Sequence, residues 1–238
     1  MIRSCEAAVG LGSKRGTGDV ERINASLSGR IERPLLQWLC IRMPAWVTSD
    51  QLTGLGVAGA GLAFLGYWLS HYSPAYLWLA CAGVVLNWFG DSLDGSLARH
   101  RSRERPRYGF FLDHMTDTMA MALIALGIGC SPYGAITSAM AVLLAYYLMV
   151  ILTMVTSKTT GVFAISFAGI GPTEIRLFIV ACTMAAFVFP TPVFEFQETQ
   201  FTLYDAVMVG LAGLLVATCI VQAIKTARML ARQDPSRD

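Results

Sequence analysis

The chain reads as an all-α integral membrane protein, six transmembrane helices preceded by an N-terminal amphipathic interfacial helix. Three observations lead there. Of 238 residues, 55% are hydrophobic and 14% charged, and the mean hydropathy is +0.54; a soluble domain carries roughly a quarter charged residues. Six runs approach the about 20 apolar residues that a hydrocarbon core requires. Lys and Arg, finally, fall only in alternate connections between those runs. A soluble globule is excluded, and with a formal net charge of +2 no nucleic-acid partner is expected.

Residues 1–22, beginning "MIRSCEAAVGLGSKRGTGDV", are polar and Gly-rich without periodicity and lack the apolar core of a signal peptide. They are read as a disordered cytoplasmic tail. Residues 23–42 mix Ile31, Leu35, Leu36, Trp38, Leu39 and Ile41 with Arg30, Arg33 and Arg42, the pattern of a helix lying in the membrane interface. Pro44 ends it, and Ser49 or Asp50 is expected to cap the first span. The spans follow at about 51–70, 75–97, 110–130, 134–156, 173–191 and 204–224. They are helices because lipid offers no partner for an open sheet edge. One membrane domain thus covers 23–226, and 227–238 is a cytoplasmic C-terminal tail.

Orientation follows from the cations, which are in excess in cytoplasmic loops. The N-terminal segment holds seven, the 99–107 loop five, residues 157–176 two and the C-terminal tail four, accounting for all 18. The alternate loops near 71–74, 131–133 and 190–203 hold none, and the last contains Glu195 and Glu198. Both termini are therefore expected in the cytoplasm. The six cysteines are scattered, with no C-x-x-C pair, and read as packing residues. His71, His100 and His114 show no metal-ligand spacing; His114 adjoins Asp113 on a different helix face and is assigned no catalytic role. Gly54, Gly56, Gly59 and Gly61 sit inside an apolar span, where small residues permit close helix packing.

Against this apolar background, four aspartates stand where lipid should begin. "DSLDGSLAR" (91–99) closes the second span, and "LDHMTD" (112–117) opens the third. At 100° per residue Asp91 and Asp94 share a face with Gly95 and Ala98, with Arg99 at its edge. Asp113 and Asp117 share a face of the next helix. The two helices form an antiparallel hairpin. At about 1.5 Å per residue, Asp91 and Asp117 each lie roughly 12 Å inward from the loop, and Asp94 and Asp113 roughly 6 to 8 Å. Each costs on the order of 3 kcal/mol to insert near a span's centre. Two ionised carboxylates about 5 Å apart repel by roughly 3 kcal/mol at an effective dielectric of 20. Such a cluster must be protonated, paired with cations or bound to metal. Arg99 alone cannot neutralise four acids, whereas hard divalent cations take oxygen ligands of this kind. The arginines of "ARHRSRERPR" make the mouth positive, suiting an anion arriving from the cytoplasm; Arg101, Arg103 and Arg105 are read as an inner-surface anchor. A cation or proton path through a transporter, or a purely structural polar cluster, would use the same acids.

Asp91-x-x-Asp94-Gly95-x-x-Ala98-Arg99, followed by Gly109-x-x-x-Asp113-x-x-x-Asp117, resembles the signature of the CDP-alcohol phosphatidyltransferase family. Nine residues separate Arg99 from Gly109 where eight are usual, the extra one falling in the loop. "MPAWVTSDQLTGLG" is also similar to the family's entry to its first span, and the likeness covers about residues 30–225. It implies a metal-dependent phospholipid-synthesis transferase that moves a substituted phosphoryl group from a CDP-alcohol to an acceptor hydroxyl and releases CMP. By position in the pattern, Asp91, Asp94, Asp113 and Asp117 would bind Mg²⁺ or Mn²⁺, two ions in all, with Asp117 also the catalytic base. Gly95, Ala98, Arg99 and Gly109 would bind the CDP-alcohol. A homodimer embedded in membrane lipid, its active site near the cytoplasmic face, is implied as well.

The acceptor site is sought in "SFAGIGPTEIRL". Its bland reading is a turn at Gly171 and Pro172, a cap at Thr173 and an acidic first turn at Glu174. Functionally, Lys158 and Arg176 would reach an acceptor phosphate and Glu174 a hydroxyl or amine. "GPTE" and "LDHMTD" are similar to stretches of the choline and ethanolamine phosphotransferase branch, which implies a diacylglycerol-type acceptor. Phosphatidylglycerol-phosphate, phosphatidylserine and inositol lipid synthesis stay open, as do a cation-coupled transporter and a catalytically dead lipid-binding relative.

Overall fold

The computed structural model describes residues 21–23, 29–160, 162–164, 171–189, 193–196 and 199–234. Of the disordered tail read at residues 1–22, residues 1–20 lie outside the described residues, as does the first part of the "SFAGIGPTEIRL" loop, 166–170.

Seven helices among the described residues carry the fold: α1 (Gly29–Arg42), α2 (Ser49–Leu69), α3 (Tyr76–His100), α4 (Pro106–Gly129), α5 (Ile136–Thr160), α6 (Pro172–Val188) and α7 (Leu203–Gln233). Two small ribbons were not expected. Strand β1 (Glu21–Ile23) pairs in parallel with β2 (Val162–Ala164), so Glu21 faces Val162. Strands β3 (Val193–Phe196) and β4 (Thr199–Thr202) form an antiparallel hairpin between α6 and α7. Four helices, α2, α4, α5 and α7, are long and apolar enough to cross a bilayer, so the protein is a multi-pass membrane protein. The other two expected spans fall short for visible reasons. Helix α3 carries Asn87, Asp91 and Asp94 in its second half, and α6 has only 17 residues.

Several boundaries differ from expectation. Described α1 begins at Gly29, not 23, and α7 continues past 226 to Gln233. Thr48, not Ser49 or Asp50, caps α2: its hydroxyl accepts from the Gln51 amide at 3.2 Å, and the Gln51 side chain accepts from the Thr48 amide at 2.8 Å. The two expected caps are engaged elsewhere. Ser49 donates to the Asp94 carbonyl at 3.0 Å, and Asp50 pairs with Arg105.

Helices α2 and α3 form the densest seam. Ala60, Ala63 and Ala80 are fully buried there. A Cβ on Gly66 or Gly83 would collide with the backbone of the facing helix, at Ala80 and Ala63 respectively. Gly59 meets the Asn87 and Gly83 backbone in the same way, whereas Gly54 and Gly61 face open space. Close packing therefore uses only some of the glycines singled out from the sequence. The last turns of α3 bury Leu93 and Leu97 against Leu36 and Cys40 of α1 and Leu52 of α2. Helix α1 also exposes Leu35, Trp38 and Ile41, with the Arg42 guanidinium 4.0 Å above the Trp38 ring.

On the other side, α7 packs on α5 and α6 on α3, with little direct contact between α6 and α7. Asp205 fixes one end of that half. It is 1% exposed and accepts from the Ala135 amide at 2.7 Å and the Thr202 amide at 2.9 Å, as well as from Ser138 and Thr202 hydroxyls. One carboxylate thereby satisfies free amides at the start of both α5 and α7.

Candidate active site

The acids lie on α3 and α4 because helical spacing keeps each pair on one stripe. The structure adds a cation that the local sequence does not contain. Arg176, in the second turn of α6, is 2% exposed. Its Nη1 donates to Asp91 Oδ2 at 2.9 Å, its Nη2 to Asp117 Oδ1 at 2.7 Å and its Nε to Asn87 Oδ1 at 3.0 Å. A guanidinium presents donors in a fixed planar fork, and here the fork spans three helices. Asn87 is itself buried and donates to the Gly56 carbonyl at 3.0 Å, which ties α2 into the same network. Asp91 and Asp117 thus share one counter-ion. A buried charge requires such a partner.

The other two aspartates have different surroundings. Asp94 is buried; its Oδ2 accepts from the Thr53 hydroxyl at 2.5 Å and its Oδ1 from the Gly95 amide at 2.5 Å. Asp113 is more open, its side chain 42% exposed, with His114 Nδ1 3.5 Å from its Oδ2. His114 also lies 2.8 Å from the Phe110 carbonyl. Among the described residues no three His, Cys, Asp or Glu side chains are gathered closely enough to hold a metal ion.

A small cavity of about 10 Å³ sits beside the shared pair, bounded by Asp91, Asp117, Thr53, Asn87 and Thr116 together with Gly56 and Val57. A far larger apolar cavity of about 440 Å³ reaches Asp113, His114 and Asp117 from the side of α5, α6 and α7.

The arginines at the mouth behave unlike a simple anchor. Arg101 donates to the carbonyls of Met43, Pro44 and Val47, and Arg105 pairs with Asp50 while lying 4.2 Å above the Tyr108 ring. Carbonyls freed at the end of α1 take the first, and a carboxylate in the first turn of α2 takes the second. Only Arg103 is left fully to the surface reading. Arg99 is exposed and donates to Ser96 at 3.3 Å. Its Nη1 would lie 3.4 Å from a Cβ on Gly95, so the glycine leaves a flat bed beneath the guanidinium. Ala98 is partly buried and Gly109 is exposed with nothing near its Cβ position.

Of the expected acceptor residues, Arg176 alone joins the aspartates. Glu174 accepts from the Gly171 amide at 2.9 Å and so helps cap α6. Lys158 is exposed in the last turn of α5. Thr173 does not cap: its hydroxyl donates to Glu32 of α1 at 3.0 Å. Glu32 also accepts from Trp88 Nε1 at 3.1 Å and Ser92 at 3.0 Å. The sequence reading missed Asn87, Thr53 and Glu32. Asn87 was findable, since a lone amide one turn before Asp91 in an apolar run needs a partner.

The architecture is similar to that of a solved enzyme, the phosphatidylinositol phosphate synthase PgsA1 of Mycobacterium tuberculosis with CDP-DAG bound. The TM-score is 0.55 at 20% sequence identity, covering 83% of this chain and 94% of that one. The family model described as CDP-alcohol phosphatidyltransferase matches residues 46–224, which hold all four aspartates and Arg176. The chain therefore belongs to the CDP-alcohol phosphatidyltransferase family, and it is a membrane transferase of phospholipid biosynthesis.

Proposed function

We propose that the protein joins an acceptor hydroxyl to the substituted phosphoryl group of a CDP-alcohol, releasing CMP, at the cluster of Asp91, Asp94, Asp113 and Asp117. The observation that carries this is the sharing of one buried cation by Asp91 of α3 and Asp117 of α4. Two carboxylates that share one cation draw positive charge between them, and the small cavity beside them is about the size of one water-sized occupant. The donor chemistry, carboxylate oxygens with the Thr53 hydroxyl nearby, suits Mg²⁺ or Mn²⁺, and holding an ion requires the acids to draw closer together than they stand here. Asp91, Asp94, Asp113 and Asp117 would hold such ions. Divalent ions there supply neutralisation of the charge that develops on the attacking and leaving oxygens.

The chain's own residues do the rest. Gly95 lets the nucleotide lie against α3, Ala98 and Gly109 keep the approach open, and Arg99 steadies the donor phosphates. Arg176 holds only Oδ1 of Asp117, leaving Oδ2 to take the proton of the acceptor hydroxyl. The acceptor oxygen then bonds to the phosphorus carrying the alcohol, and the bond from that phosphorus to the CMP oxygen breaks. Such transfer depends on positioning and charge more than on covalent intermediates. Arg176, with Glu174 and Lys158 at the same end, is the acceptor-side candidate. Helices α3 and α6 complete six spans, their polar residues turned inward, and α1 lies on the cytoplasmic surface with both termini on that side. A cation path through a transporter is set aside, because the family is one of transferases.

The test is CMP release by purified protein in lipid, given CDP-diacylglycerol, CDP-choline or CDP-ethanolamine with candidate acceptors. Release should require Mg²⁺ or Mn²⁺, stop on chelation, and fall by about 10³-fold or more in Asp117→Asn with the fold intact. Full activity in Asp117→Asn, or in excess chelator, would refute the assignment.

A further inference from the structure

The large cavity is far more apolar than a transferase of small, charged headgroups needs. It reaches Asp113 and Asp117 at one end and Ser131, Tyr133 and Tyr204 at the other. Between them its wall is mostly apolar, with Tyr67, Tyr146 and Phe178 among the aliphatic side chains and few hydroxyls. A sugar phosphate or amino alcohol placed there would leave its polar groups without partners, which costs several kcal/mol for each. Its lateral boundary is also incomplete. Helix α6 is held by α3 and α7 by α5, with little direct contact between α6 and α7, so that seam is the natural entrance for a chain from the bilayer.

We propose that this cavity takes one acyl chain of the diacylglycerol-bearing substrate, and that α7 measures its length. The proposal rests on Asp117 marking the reaction centre. Volume limits the occupant: an apolar cavity of about 150 Å³ holds one benzene ring. At that packing, about 440 Å³ holds on the order of 18 carbon-sized groups. One long chain fits, and two do not; the second chain stays in the bilayer.

The ruler is a row of side chains. Leu215, Leu211 and Met208 all line the cavity and recur at helical spacing on one face of α7. Helix α7 starts at the end where Asp205 meets Ala135, and α4 runs toward that end. Counted from there, Asp117 lies about 18 Å up α4 from Gly129, and Leu215 about 15 Å up α7 from Asp205. Leu215 is thus close to the level of the reacting carboxylate, and Met208 is roughly 10 Å deeper. A bulky side chain at each position cuts the available length at a different depth.

The test uses the full chain in lipid nanodiscs. CMP release is measured with CDP-diacylglycerol in one arm, and with diacylglycerol plus CDP-choline or CDP-ethanolamine in the other. Each lipid is supplied from dioctanoyl to dioleoyl. Met208→Trp, about 10 Å below the carboxylate, should lower the ratio of long-chain to short-chain turnover by about tenfold or more, Leu211→Trp by less, and Leu215→Trp least, because a block level with the carboxylate stops short chains as well. The arm that responds identifies whether donor or acceptor owns the chain. Equal scaling of all chain lengths in all three variants would overturn the proposal. A second readout needs neither turnover nor a variant. Cys182 lines the same cavity and is free, so long-chain lipid should slow its maleimide alkylation several-fold, read by peptide mass, and dioctanoyl lipid should do so less. Protection of Cys182 without CMP release from any donor would leave the cavity assignment standing and remove the reaction; release without protection would do the reverse.

Discussion

The two halves of the bundle are packed on different principles. On one side α2 and α3 touch backbone to backbone through Gly66 and Gly83, with buried alanines between them. On the other, Ala212 and Asp205 are the only residues of α7 that are buried among the described residues, and a cavity separates α7 from α6. The contrast teaches where precision is spent. Small residues let helices approach closely and hold a fixed geometry in lipid. That is the half that carries Asp91 and Asp94. The loose half offers volume instead, beside Asp113 and Asp117. Arg176 is the hinge between the two: it is rooted in α6, on the loose side, and its fork grips α3 and α4.

The sharpest way to break this comparison is to remove the shared cation. Arg176→Met leaves two half-buried carboxylates without their shared cation, an expected loss of up to about 3 kcal/mol, seen as a lower unfolding temperature in detergent together with lost CMP release. Unchanged stability would mean that the halves are not joined there. Next comes a matched pair of glycines. Gly83→Val forces a branched side chain into the α2 backbone and should cost about 3 kcal/mol. Gly213→Val meets nothing within 4 Å and should stay within about 0.5 kcal/mol; similar losses at both would erase the distinction between tight and loose sides. A similarly small effect is expected where α2 meets α6. Tyr67 and Thr183 share a hydrogen bond of 2.6 Å across the cavity wall, and Thr183→Val should cost about 0.6 kcal/mol. A loss several times larger would show that this wall is held as firmly as the α2–α3 seam.

Much of the architecture was legible because its signals are local. Hydropathy located six apolar runs, and each corresponds to a helix, with ends shifted by a few residues except that α7 runs on to Gln233. The i, i+3 and i, i+4 spacings placed Asp91 with Asp94 and Asp113 with Asp117. What stayed hidden joins distant segments. Thr53 and Asp94 are 41 residues apart, Arg176 and Asp91 are 85 apart, and Thr173 and Glu32 are 141 apart. Near the acids the sequence offered Arg99 as counter-ion, yet Arg99 is exposed and Arg176 does the pairing. The caps misled for a similar reason. Ser49 and Asp50 suit helix starts by type, but Ser49 is engaged by α3 and Asp50 by Arg105, so Thr48 takes the cap.

By itself, the sequence determined that this protein lives in a membrane, that its chain is helical, and that two consecutive helices each carry a pair of aspartates on one face. These depend on composition and on a 3.6-residue period, which any short stretch carries within itself. Only the tertiary structure decided which cation meets those acids, which glycines close a seam, and where the bundle stays hollow. Each of these depends on helices far apart in the chain meeting at one depth, and no local pattern encodes that meeting.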